Sequence, residues 1–191
     1  TLRKFVQHYK LEGFVHSIIR TVRSLKTVVR GKLYAFIIGS CTNLRIGEAV
    51  RWRGVKRFRF GNNLSFGFAS RIEVWNESEN CEIQIGDNTS FGDYLHIGAI
   101  NNIYIGKNNL FGSGILIVDH NHGRVSDIRH TSPIPPLERE LKSKGAISIG
   151  NGNWFADGVR IISPCVVGDN NVVSAGTTLK GIYGSGQLIG K

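Results

Sequence analysis

The chain has 191 residues, 41% apolar side chains, three Trp and a formal charge of +10, enough for one soluble globular domain with an appended segment. Its three cysteines, Cys41, Cys81 and Cys165, are odd in number and lack C-x-x-C spacing, which argues against a disulfide framework and a structural zinc site and leaves a reducing cytoplasm as the expected setting. No run of about 18 apolar residues and no signal-peptide pattern occurs, and the lack of any Met, even at position 1, suggests a trimmed sequence.

The charge is uneven. Residues 1–59 hold 14 Lys/Arg against 2 Asp/Glu, or +12, so the remainder nets −2; an anionic partner is met by the N-terminal part. From Thr1 to about Phe36 the apolar residues at 11, 14, 15, 18, 22, 25 and 29 follow helical spacing, with Lys10, Arg20, Arg23 and Arg30 largely off that stripe. The pattern predicts a basic amphipathic helix or helix pair over residues 1–38. Such an element either caps the fold that follows or attaches to an anionic membrane surface, and it can do both.

A period of six dominates residues 39–191. An aliphatic or aromatic residue recurs at Ile149, Phe155, Ile161, Val167, Val173 and Leu179; earlier the spacing comes in threes, as Phe60, Phe66, Ile72, then Ile85, Phe91, Ile97, then Ile105, Phe111, Ile117. Gly often follows directly. Three residues after the apolar position stand Asn63, Asn88, Asn108, Gly114, Gly152, Gly158, Asn170 or Gly176, the residue types that enter the left-handed backbone region most cheaply. Each hexad therefore reads as a short strand ending in a tight turn.

All surplus residues fall at one phase of this repeat, between Trp52 and Phe60, Ile72 and Ile85, Ile97 and Ile105, and Ile117 and Ile149. A three-sided prism predicts this, because three hexads make a coil of 18 residues and an insertion is harmless only where it bulges outward. The fold class is mainly β, a parallel β-helix with a long outward loop at 118–148. The segment WRGVKRFRF mixes Arg with aromatics, yet it falls in repeat phase and reads as β-helix with one charged face rather than as a nucleic-acid site.

The loop leaves the prism at VDHNHG, residues 118–123. Its two histidines suit a catalytic base with a neighbour, a pair of metal ligands, or polar decoration on a turn. Loops this long are usually functional. The far part, TSPIPPLERELKSKG, combines stiffening prolines with charge and suits an arm reaching over a neighbour's groove.

The IG/FG repeats, DHNH at the loop start, and ISIGNGNW followed by GDNNVVSAGTTLKG, spanning about Cys41 to Gly181, resemble the left-handed parallel β-helix (hexapeptide-repeat) acyltransferases. Within them the maltose, galactoside and surface-polysaccharide O-acetyltransferases are most similar. The resemblance implies a homotrimer with sites between subunits, acetyl-CoA as co-substrate without a metal, and a carbohydrate acceptor in bacterial surface-polysaccharide assembly. That work is expected in the cytoplasm, at the inner membrane face. It also implies a loop histidine as base. Counting five residues from Ile117 gives His122, with His120 or Asp119 orienting it or binding the acceptor, and the groove tryptophan corresponds to Trp154. CoA is expected along the last coils at Trp154, Ala156, Ala175 and Gly176, with Asp157 and Lys180 as further candidates and Cys165 as core. The sequence departs from the family where Phe155-Ala156 follow the tryptophan, and where GQLIGK stands in place of a Gly-x-Pro-Ala-Lys tail.

Acetyl transfer to a hydroxyl needs an imidazole of pKa near 7 to take the proton, and no nucleophilic Cys or Ser. Rival readings are an N-acetyltransferase acting on a nucleotide-linked amino sugar and a non-catalytic scaffold. Another is a zinc enzyme of the carbonic anhydrase type using His96, His120 and His122, although that family spaces its paired ligands more widely and lacks the tryptophan.

Overall fold

In the computed structural model, which describes residues 2–39, 41–76, 81–123 and 134–190, the hexads wind into a left-handed parallel β-helix with three faces. The first face stacks the strands Arg45–Ile46, Ser65–Phe66, Ser90–Phe91, Leu110–Phe111, Trp154–Phe155, Val172–Val173 and Leu188–Ile189, each parallel to the next. The second begins Arg51–Arg53, Arg71–Val74, His96–Ala99, Leu116–Val118, and the third Phe58–Phe60, Glu82–Ile85, Asn102–Ile105, Ile147–Ile149. The longer strands Arg160–Val167 and Thr178–Tyr183 turn the corner and belong to both.

All eight predicted left-handed positions have positive φ, from 57° at Asn170 to 72° at Gly158. The glycines that follow the inward residues have a different reason: a Cβ on Gly106 would lie 2.6 Å from the Gly150 carbonyl oxygen, so the coils stack only because none is there. Inside, Phe66, Phe91, Phe111 and Phe155 form one column with ring centroids 5.1, 4.7 and 4.5 Å apart. Ile72, Ile97, Ile117 and Ile161 form another, fully buried. Outside, the amides of Asn43, Asn63, Asn88 and Asn108 hydrogen-bond in sequence down a corner.

Every insertion lies at the corner between the second and third faces, as the spacing predicts. The repeat is less regular than expected at its end. Ile161 pairs with Leu179 eighteen residues on, but Val167 pairs with Tyr183, so the last coil is two residues short.

The N-terminal segment is helical from Leu2 to Ile38, broken into two by Gly13 with φ 78° and ψ 173°. Its last turns cap the first coil: Gly31 packs so closely on Leu44 that a Cβ would overlap the Leu44 carbonyl, and Tyr34 stacks on Trp52 at 5.2 Å. Arg30 Nε donates to the Ile46 carbonyl at 3.0 Å. The apolar stripe, however, is not what touches the coil. Val15, Ile18, Val22, Leu25 and Val29 are all exposed. At 3.6 residues per turn they lie roughly opposite Ser24, Thr27 and Gly31.

Candidate active site

The chain leaves the second face at Val118, and the next residue turns inward. Asp119 is fully buried, and its two carboxylate oxygens accept the backbone N–H groups of Ile100 and Asn101 at 2.9 and 2.8 Å. A buried carboxylate is tolerable only when so satisfied. Its burial removes Asp119 from contact with an acceptor and corrects the expectation that it binds one. What it does hold is His120, whose Nδ1 lies 3.2 Å from Asp119 Oδ1 and whose side chain is 12% exposed. The ring rests over Gly98, where a Cβ would come within 3.0 Å of His120 Cε1 and 3.5 Å of His96 Nε2.

His122 sits two residues further along, at the bend that follows the short strand His120–Asn121, and is exposed. Its Nδ1 is 3.1 Å from the carbonyl oxygen of Pro136, at the start of the short 3-10 helix Pro136–Glu138. A carbonyl only accepts, so in this contact Nδ1 is the donor, and Nε2 is the nitrogen that can act as a base. The long loop is not structureless at its base. His120–Asn121 pairs antiparallel with Lys142–Ser143, which brings the two ends of the loop together and Pro136 back over His122. Of the expected arm, residues 131–133 lie outside the described residues; Leu137 on its described part is 89% exposed.

The remaining candidates lie elsewhere on the prism. Trp154 is half exposed on the first face, with Ala156, Asp157, Ala175 and Gly176 at the corner that follows it and exposed Lys180 beyond. The backbone N–H groups of Ala156 and Gly176 donate to the Val173 and Asp157 carbonyls, both at 2.9 Å, so these two donors are already used between coils. Asp157 Oδ1 accepts Ser113 N–H at 2.6 Å, a link between coils. Cys165 is core, and burial raises its thiol to about 11. One chain thus carries the histidines at the second corner and the tryptophan on the first face.

A cluster beside the histidines escaped the sequence reading. Arg71 Nη2 lies 2.9 and 3.1 Å from the ring nitrogens of His96, and Glu73 Oε2 lies 3.4 Å from Arg71 Nε and 3.5 Å from His96 Nε2. Burial and the Arg71 charge push the His96 pKa down, against the pull of Glu73. The available signal was phase: Arg51, Arg71 and His96 each immediately precede an inward residue of the second face. His96 thus faces Arg71 and Glu73. Among the described residues no group of three or more His, Cys, Asp or Glu side chains is arranged to hold a metal ion.

No family model matches the chain. It is 29% identical over 180 residues to the putative lipopolysaccharide biosynthesis O-acetyl transferase WbbJ of Escherichia coli (strain K12), covering 93% of this chain and 84% of that protein. Among solved structures it is similar to a point mutant of AntD, an N-acyltransferase from Bacillus cereus in complex with dTDP-4-amino-4,6-dideoxyglucose and coenzyme A. That match has 18% identity, coverage of 81% and 84%, and a TM-score of 0.43. A second AntD mutant, with dTDP and coenzyme A, gives 17% identity, coverage of 77% and 78%, and a TM-score of 0.32.

Proposed function

We propose that this chain is a hexapeptide-repeat acyltransferase that moves the acetyl group of acetyl-CoA to a hydroxyl of a carbohydrate, within bacterial surface-polysaccharide assembly. The observation that carries the reading is the combination of hexapeptide coils with a loop that turns His122 Nδ1 to the Pro136 carbonyl and so leaves Nε2 as the nitrogen that can act as base, in a chain 29% identical over nearly its whole length to a putative O-acetyl transferase. His122 Nε2 takes the hydroxyl proton as the sugar oxygen attacks the thioester carbonyl; the carbon–sulfur bond then breaks and the imidazolium returns the proton to the departing thiolate. His120, held by Asp119, lines the acceptor side. Incubation with acetyl-CoA and a panel of sugars is expected to release free thiol only when a suitable acceptor is present. No release with any sugar or lipid-linked glycan, together with no CoA binding, would leave a scaffold as the better reading.

The working unit in this proposal is a homotrimer. Leu110, Trp154, Val172 and Leu188 stand in register down the outside of the first face, each at least 38% exposed. Such a contiguous apolar column is a docking surface, and a second copy on it carries its own histidine corner to Trp154, supplying the wall that one chain lacks.

The N-terminal helix supports peripheral membrane contact. Val15, Ile18, Val22, Leu25, Val29, Leu33 and Phe36 form an exposed stripe, in a segment with eight Lys/Arg and one acidic residue, Glu12, up to Ile38. No helix among the described residues is long and apolar enough to cross a membrane. Cosedimentation with phosphatidylglycerol-containing vesicles is expected for the natural chain and lost in Leu25→Asp/Val29→Asp. Equal sedimentation of both would assign the stripe to another partner.

A further inference from the structure

Outward columns on the β-helix are mostly neutral, as in the Asn43–Asn63–Asn88–Asn108 ladder. The start of the second face breaks that rule. Arg51 stands in register with Arg71, and Arg71 with His96, so two guanidinium groups occupy neighbouring rungs about 4.8 Å apart. Arg53, two residues along from Arg51 and on the same face, is held over the Trp75 ring with its Cζ 3.9 Å from the centroid. Like charges on adjacent rungs repel. The one carboxylate within the group, Glu73, stands in register with Arg53 and lies within ion-pair distance of Arg71 and His96, so it offsets only one of the three guanidinium charges. Among the described residues neither Arg51 nor Arg53 has a carboxylate within ion-pair distance. Three guanidiniums therefore frame a patch roughly 5 by 7 Å at the backbone, with a surplus positive charge and one member fixed by an aromatic ring.

The patch runs into the candidate active site without a break. Arg71 touches His96, and His96 Nε2 and His120 Cε1 converge on Gly98. A ligand anchored at Arg51 and Arg53 and extending up the face would reach the histidines within a few rungs. Guanidinium groups bind phosphate oxygens in bidentate fashion, and a diphosphate offers enough oxygens for three of them.

We propose that Arg51, Arg53 and Arg71 form an acceptor subsite for the phosphate of a glycosyl diphosphate, placing the attached sugar beside His120 and His122. The inference rests on the acetyltransferase reading and narrows its acceptor to an anionic, diphosphate-bearing glycan. The diphosphate can come from a nucleotide-linked sugar or from a lipid-linked one.

The test is calorimetric titration of the chain, already saturated with CoA, with inorganic pyrophosphate. Binding is expected, with the Kd raised at least tenfold in Arg51→Gln/Arg53→Gln while CoA affinity and the unfolding midpoint stay unchanged; both side chains are exposed, so the fold tolerates the change. No pyrophosphate binding, equal binding by the double variant, or loss of CoA affinity instead would overturn the subsite, the last by assigning the patch to the donor. Transfer assays with a nucleotide-linked hexose and with a polyprenyl-diphosphate-linked hexose in micelles distinguish the sources. The true acceptor should lose rate in the double variant through KM, with kcat retained, and a variant unimpaired with both would overturn the proposal. Transfer to uncharged sugars without pyrophosphate binding would defeat the subsite and spare the acetyltransferase reading. Absence of thiol release with every acceptor would defeat that reading.

Discussion

His122→Ala is expected to fold, to bind CoA normally and to lose acetyl transfer by at least ~10²-fold, the lower range for removal of a general base. The expectation follows from the way the ring is held. The Pro136 carbonyl, 3.1 Å from Nδ1, can only accept, so it favours the tautomer whose Nε2 is the basic nitrogen. The side chain is exposed and contributes nothing to the core, so the loss should appear in kcat and not in stability. His120→Ala is the control. Its ring is held by Asp119 Oδ1 and rests over Gly98, and in the present assignment it costs less. If His122→Ala turned over at near-normal rate and His120→Ala did not, the base would be His120.

Asp119→Ala should destabilise the chain by about 2–4 kcal/mol, because it leaves two partly buried backbone N–H groups without their acceptor, at roughly 1–2 kcal/mol each, the lower part of the range for an unsatisfied donor. Those groups belong to Ile100 and Asn101 on the preceding coil, so the carboxylate ties the mouth of the loop to the coil beneath it. The same change frees His120. Urea denaturation of Asp119→Ala beside His120→Ala separates the two effects: the alanine at 119 should cost clearly more, and equal losses would mean that the amide clamp contributes little.

The prism was legible because its cause is local. An inward aliphatic every six residues and an Asn or Gly three later specify strand and corner without reference to distant contacts, and Asn63, Asn88 and Gly114 adopt the positive φ that this reasoning requires. The single phase of the insertions likewise identified the corner that carries His120 and His122. Less was legible where charge met stacking. Arg71 and Glu73 acquire meaning only when His96, twenty-five residues after Arg71, lies in register beside them, and nothing near Arg71 in sequence marks that neighbour. The helical stripe illustrates the same limit. Its period was visible, but its direction was not, since the face turned to the coil is chosen by Gly31 fitting Leu44 and Tyr34 stacking on Trp52.

By itself, then, the sequence determined the coil, its corners, the exit point of the loop and the residue types that stand there, because these depend on backbone preferences and on a short period of burial. Only the tertiary structure decided that Asp119 faces inward, which nitrogen of His122 meets the Pro136 carbonyl, and that the apolar stripe faces away from the prism. Each of those outcomes depends on partners brought in from another coil or from across the loop, and such partners leave no trace in the local pattern.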